Sequence, residues 1–113
     1  MTNFWHSLPL DQLAAHGKVI SDPVRLRLLT LLASQPSLCV CELVSATALG
    51  QSLISRHLAY LKRHGWVDAQ RQGAWMHYQL ITPLPLPIEP WLQAWQTHPD
   101  FVADFARLSA PTC

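Results

Sequence analysis

Residues 51–67 read QSLISRHLAYLKRHGWV. At 100° per residue, Ile54, Leu58 and Leu61 fall on one stripe of a helix spanning Gln51 to His64, with Ser52, Ser55, Arg56, Ala59 and Arg63 opposite. The outward face is small, polar and basic. Serines let a helix approach DNA closely and offer hydroxyls to phosphates or base edges, while an Arg fork matches guanine O6 and N7. Lys62 and Arg63, at the helix end, suit phosphate. An ordinary amphipathic surface helix has the same periodicity, so the flanks decide.

Downstream, Gly65 stops the helix. Val67 to Gln72 and Trp75 to Leu80 flank Gly73, with Trp75, His77 and Gln79 alternating against Met76, Tyr78 and Leu80, the pattern of a two-stranded hairpin. Upstream, Cys39 to Ala48 suits a short helix ending near Gly50, a residue fitted to a tight turn. Two helices joined by a short Gly turn, then a hairpin, predict a winged helix-turn-helix, mainly α with a small β-hairpin. The candidate DNA-contacting residues are Gln51, Ser52, Ser55, Arg56, Ala59, Lys62, Arg63 and, at the wing tip, Arg71, since a hairpin-tip Arg can enter the minor groove or meet phosphate.

Farther out, Leu8 to Ile20 carries helical spacing, and Asp22-Pro23 reads as an N-cap followed by Pro at the first position of a helix to about Ser34. Thr82 to Pro90 (TPLPLPIEP) is an extended connector. Trp91 to Leu108 is helical again, interrupted at Pro99, with Trp91, Leu92, Trp95, Phe101, Val102 and Phe105 needing cover. We expect one domain over 1–113, with 39–64 as helix-turn-helix and 67–80 as wing, while the surplus Trp, Phe and Leu of the outer helices, 1–21 and 89–110, call for burial against a second copy, which makes them the dimerisation helices.

The whole composition fits. With 113 residues, half of them apolar and 13% charged, the chain can bury a core and is too hydrophobic for charge-driven disorder. The net charge of +1 hides an asymmetry: Arg56, Lys62, Arg63 and Arg71 against Asp68 make Gln51 to Gly73 +3, leaving −2 elsewhere. There is no apolar run long enough for a membrane span and no signal-peptide pattern at MTNFWHSLPLD, so a cytoplasmic location is expected. Three cysteines form no closed disulfide framework and direct attention to metal or redox chemistry.

Taken in order, SDPVRLRLLTLL, LCVCEL, QSLISRHLAYLKRHGWV and RQGAWMHYQL resemble the ArsR/SmtB family of metal-sensing winged-helix repressors, most closely its arsenical-resistance members. The resemblance spans about Ala14 to Leu80. It implies a homodimer joined through the first and last helices, binding double-stranded operator DNA with an inverted repeat and leaving it when inducer binds. His57 and Leu58 match the family's His-Leu pair, and His57, at the edge of the apolar stripe, reads as a packing residue.

Cys39-Val40-Cys41-Glu42-Leu43 matches the family's inducer motif. On a regular helix residues i and i+2 point about 200° apart, so both thiols can share one ion only if the helix starts between them or unwinds. Binding is therefore expected to strain or reshape this helix, and its N-terminal potential to lower the thiol pKa. The family's usual third Cys is replaced by Val44, and residues 1–38 contain none. Cys113 is then the candidate third ligand, of the same or the partner subunit. The implied inducer is As(III), with Sb(III) second, and no organic cofactor. Two alternatives keep the fold but sense Cd(II)/Pb(II) or thiol redox or persulfide state. His98 and Asp100 reverse the order of the family's zinc motif, so no zinc site is expected, and the other histidines are read as surface residues. With no Gly-rich phosphate loop, C-x-x-C or acid/base constellation, the chain is not expected to be an enzyme.

Overall fold

The computed structural model describes residues 4–108. After a 3-10 turn over Phe4–Ser7 come helices α1 (Leu10–Val19) and α2 (Pro23–Ala33), strand β1 (Leu38–Cys39), helices α3 (Val40–Thr47) and α4 (Gln51–Arg63), strands β2 (Val67–Gln72) and β3 (Trp75–Leu80), and helices α5 (Glu89–Ala94) and α6 (Pro99–Leu108), with a 3-10 turn at Trp95–Thr97. This is a winged helix-turn-helix. Asp22 caps α2, its Oδ1 accepting from the N–H groups of Val24 (2.8 Å) and Arg25 (3.2 Å). Pro23 at the first helical position loses no hydrogen bond. Pro99 begins α6 rather than kinking one long helix, which divides the C-terminal segment as expected.

Leu28, Leu29, Leu43, Ile54, Leu58, Leu61 and Trp66 are fully buried in one core. The stripe Ile54, Leu58 and Leu61 therefore faces inward, which aims the opposite side of α4 at solvent. Trp95 ties the C-terminal segment to α2, its indole N–H donating to Thr30 Oγ1 at 2.6 Å, while that hydroxyl donates to the Leu26 carbonyl. Tyr78 and Leu80 pack against the core from β3.

The wing holds more than the expected hairpin. The sheet order is β1-β3-β2, antiparallel throughout, with Cys39 opposite His77 and Gln72 opposite Trp75. Two residues are too few to show a period, so β1 has no signature in the sequence. The β2–β3 link is Gly73-Ala74, with Gly73 at φ +64°, the left-handed first position of a two-residue hairpin turn.

The turn between α3 and α4 departs from expectation. Ala48, not Gly50, takes the left-handed conformation (φ 59°, ψ 26°), its N–H donating to the Val44 carbonyl at 2.9 Å. Gly50 is extended (φ −67°) and serves as the N-cap of α4, its carbonyl accepting from Ile54 N–H. The reversal falls two residues early because Gly50 already belongs to the next helix.

Candidate functional site

Gln51, Ser52, Ser55, Arg56, Ala59, Lys62 and Arg63 are all exposed on α4, and Arg71 is exposed on β2. No acidic side chain lies among these positions. Two contacts fix this helix from behind. Arg25 of α2 donates through Nε to the Val19 carbonyl (2.8 Å) and through a terminal nitrogen to the Lys18 carbonyl (2.9 Å), and its guanidinium stacks 4.2 Å from the Tyr60 ring centre. The other terminal nitrogen lies 3.3 Å from His57 Nδ1. His57 is half-buried against this group, and burial lowers its pKa despite the opposing pull of Asp22. It is a packing residue, as its place at the edge of the stripe implies.

His77, half-buried in the central strand β3, and the pair His16 and His64 correct the expectation of surface histidines. Both members of the pair are half-buried, with ring centres 6.5 Å apart, and His16 Nδ1 accepts the indole N–H of buried Trp66 at 3.1 Å. Burial lowers both pKa values, and each is further lowered by neighbouring charge: His64 acting on His16, and Arg63 and Arg25 acting on His64. The end of α1 is thereby joined to the end of α4.

At the start of α3, Cys39 is extended (φ −79°, ψ 160°) and forms the N-cap, whereas Cys41 lies in the first turn. The helix begins between the two cysteines. Their Sγ atoms lie 2.7 Å apart, so they converge without unwinding, and the expected reshaping of the helix is not needed to bring them together. Cys39 occupies the place of Ser in a capping box: its N–H donates to Glu42 Oε1 at 2.9 Å, and its sulfur faces the Glu42 N–H. Contrary to expectation, the Cys39 thiol is pushed up in pKa. At 5% exposure, desolvation outweighs the backbone N–H groups that favour the thiolate. Cys113 lies outside the described residues. Among the described residues no group of three metal-ligating side chains forms, and His98 and Asp100 are both exposed.

Sequence reasoning missed a charged cluster behind the site. Asp104 of α6, 1% exposed, accepts from Arg27 of α2 (Nε 2.8 Å, terminal nitrogen 2.7 Å) and from Arg107 (2.8 Å). The Asp104 hydrogen bond also holds Arg27 more firmly protonated. Only the i,i+3 spacing of Asp104 and Arg107, on a helix whose one other charge is Asp100 in the first turn, hints at it. Nothing in the sequence shows that Arg27, 77 positions away, is the other partner.

Residues 22–69 match the bacterial regulatory protein, arsR family. The chain is 42% identical over 90 residues to an arsenic resistance transcriptional regulator of Pseudomonas putida, covering 79% of this chain and 78% of that one. To the arsenical resistance operon repressor of Escherichia coli it is 41% identical over 68 residues, 60% of this chain and 58% of that one. Among solved structures, the homodimeric winged helix-turn-helix DNA-binding domain of a Mycobacterium bovis protein superposes with a TM-score of 0.65 at 28% identity, over 94% of this chain and 90% of that one.

Proposed function

The chain belongs to the arsR family of bacterial regulatory proteins, DNA-binding transcriptional regulators rather than enzymes, and we propose that it is a homodimeric repressor released from operator DNA when As(III) binds its cysteine thiols. The observation that supports this best is the convergence of Cys39 and Cys41 at the first turn of α3. Two soft sulfur donors at one point suit a thiophilic ion. Ser52, Ser55 and Arg56 would read base edges, with Lys62, Arg63 and Arg71 on phosphate. Exposed apolar side chains on α1, α5 and α6, namely Leu10 (83% exposed), Trp91 (58%) and Val102 (49%), supply surface for a second copy, and the Mycobacterium bovis relative is itself homodimeric.

At Cys39, the one thiol whose pKa is raised by burial among the described residues, arsenous acid is favoured over a divalent cation. Each hydroxyl exchanged for a thiol leaves as water and takes the thiol proton with it, so no free proton is produced. Cd(II) or Pb(II) must expel each thiol proton into solution, which costs more as the pKa rises. The third donor we propose is Cys113, of the same or the partner subunit.

The test is fluorescence anisotropy of upstream DNA bound by the reduced protein, titrated with arsenite, antimonite, Cd(II) and Zn(II) and repeated with Cys113→Ser. Release by arsenite that is lost in the variant supports a three-thiol sensor. Release that survives the variant confines sensing to Cys39 and Cys41 with an outside third donor. If Cd(II) releases DNA and arsenite does not, the inducer assignment is wrong; if nothing does, the signal is of another kind.

A further inference from the structure

The last turn of α3 is held from outside itself. Arg107 Nε donates to the Ala46 carbonyl at 2.7 Å, and a terminal nitrogen of Arg27 donates to the Thr47 carbonyl at 2.6 Å. These are carbonyls that a helix C-terminus leaves without intrahelical partners, and cations there are favoured by the helix dipole. The next three residues are Ala48 in the left-handed region, Leu49, and Gly50, the N-cap of α4. So the two guanidinia grip the chain just before the DNA-reading helix begins.

Asp104 in turn grips both guanidinia, and it is the buried member of the cluster. Planar, charge-assisted bonds of this kind fix direction as well as distance. Three elements meet here: α2 through Arg27, α6 through Asp104 and Arg107, and the end of α3 through its carbonyls. The start of α3 carries Cys39 and Cys41, so this eight-residue helix is a short strut with the paired sulfurs at one end and the clamp at the other.

We infer that Asp104, Arg27 and Arg107 are positioning residues for DNA recognition, setting the place of α4 from α6 by clamping the end of α3. The inference rests on the assignment of α4 as the DNA-reading helix. Weakening the clamp loosens the α3–α4 turn in the inducer-free protein, so operator affinity falls although no group that meets DNA is changed. It also leaves less affinity for inducer to remove, because the protein already lies nearer its released geometry.

The experiment measures operator affinity and its salt dependence for the wild type, Arg107→Gln, Arg107→Lys and Asp104→Asn, with Arg56→Ala alongside. Arg107 is the first choice because its side chain is 41% exposed and its replacement leaves the bonds of Arg27 to buried Asp104 in place. Asp104→Asn keeps the size of the group and removes the charge. Thermal melts confirm that each variant is folded at the assay temperature. We expect Arg107→Gln and Arg107→Lys to bind operator about fivefold or more weakly, with an unchanged slope of log affinity against log salt. Wild-type affinity in folded variants, even with a lowered Tm, would mean a merely structural cluster and overturn the inference. A shallower salt slope for Arg107→Gln would make Arg107 a phosphate ligand and overturn it equally. If Arg56→Ala also binds normally, the premise about α4 has failed, and the inference fails with it.

Discussion

Ala48 is the residue whose backbone works against its side chain. A left-handed conformation costs an L-residue about 1–2 kcal/mol, and glycine escapes most of that while giving back some chain entropy. Ala48→Gly is therefore expected to stabilise the fold by about 1 kcal/mol, seen as a higher urea midpoint with unchanged m-value; a lower midpoint would show that the Ala48 methyl is worth more than the strain it brings. His16 gives the second residue-scale prediction. It accepts the Trp66 indole N–H only while Nδ1 is unprotonated, and its folded pKa is lowered from 6.5, chiefly by burial. A depressed folded pKa contributes stability that is full above the unfolded value and is lost as pH falls through the folded value. His57 and His64 shift in the same direction, so stability should decline below about pH 6.5. Ring-proton titration by NMR should place the His16 midpoint below that of an exposed histidine, and a midpoint above it would remove the basis for the decline.

At the scale of elements, α3 combines a structural and a chemical role at one residue. Cys39 is the N-cap and the proposed thiol donor, and serine is the better N-cap in a box closed by Glu42. Cys39→Ser should leave stability within about 1 kcal/mol of wild type while abolishing release from DNA by arsenite. Denaturation and anisotropy on the same preparation test both halves; a large loss of stability would mean that packing of the sulfur, not capping, dominates at this position. The elements were legible to different degrees, and the reasons are physical. Periodicity along Gln51–Arg63 and alternation in β3 are long enough to declare themselves, so the inward stripe of α4 and the wing follow directly from sequence. The N-cap at Asp22 does too, because its partners are local. Strand β1 is two residues long and exists only because β3 is beside it. The Arg27–Asp104 pair joins distant segments, and the rise in the Cys39 pKa depends on burial that the motif alone does not reveal. Local signals announced α4 and its outward face; three-dimensional convergence made the sulfur pair and the clamp.

For the molecule as a whole, the remaining question is how many copies act on DNA, and two measurements address it independently. Leu10→Glu or Val102→Glu, each placing a charge on a helix proposed to form the dimer interface, should shift the sedimenting species toward monomer and weaken operator binding together. Unchanged sedimentation would place the interface elsewhere. The second measurement counts cations. Each neutralised phosphate contributes about −0.9 to the slope of log affinity against log salt on B-form DNA. Lys62 is exposed at the end of α4 and stacks on no aromatic ring among the described contacts, unlike Arg63, whose guanidinium lies 5.4 Å from the Tyr60 ring centre. Lys62→Gln is thus the cleaner deletion of one phosphate contact per protomer. If two protomers grip one operator, the slope should become shallower by about 1.8, twice the per-contact value; a change of about 0.9 would mean that a single recognition helix bears on the DNA. No change would take Lys62 off the phosphate backbone and move the positive footprint toward Arg63 and the wing.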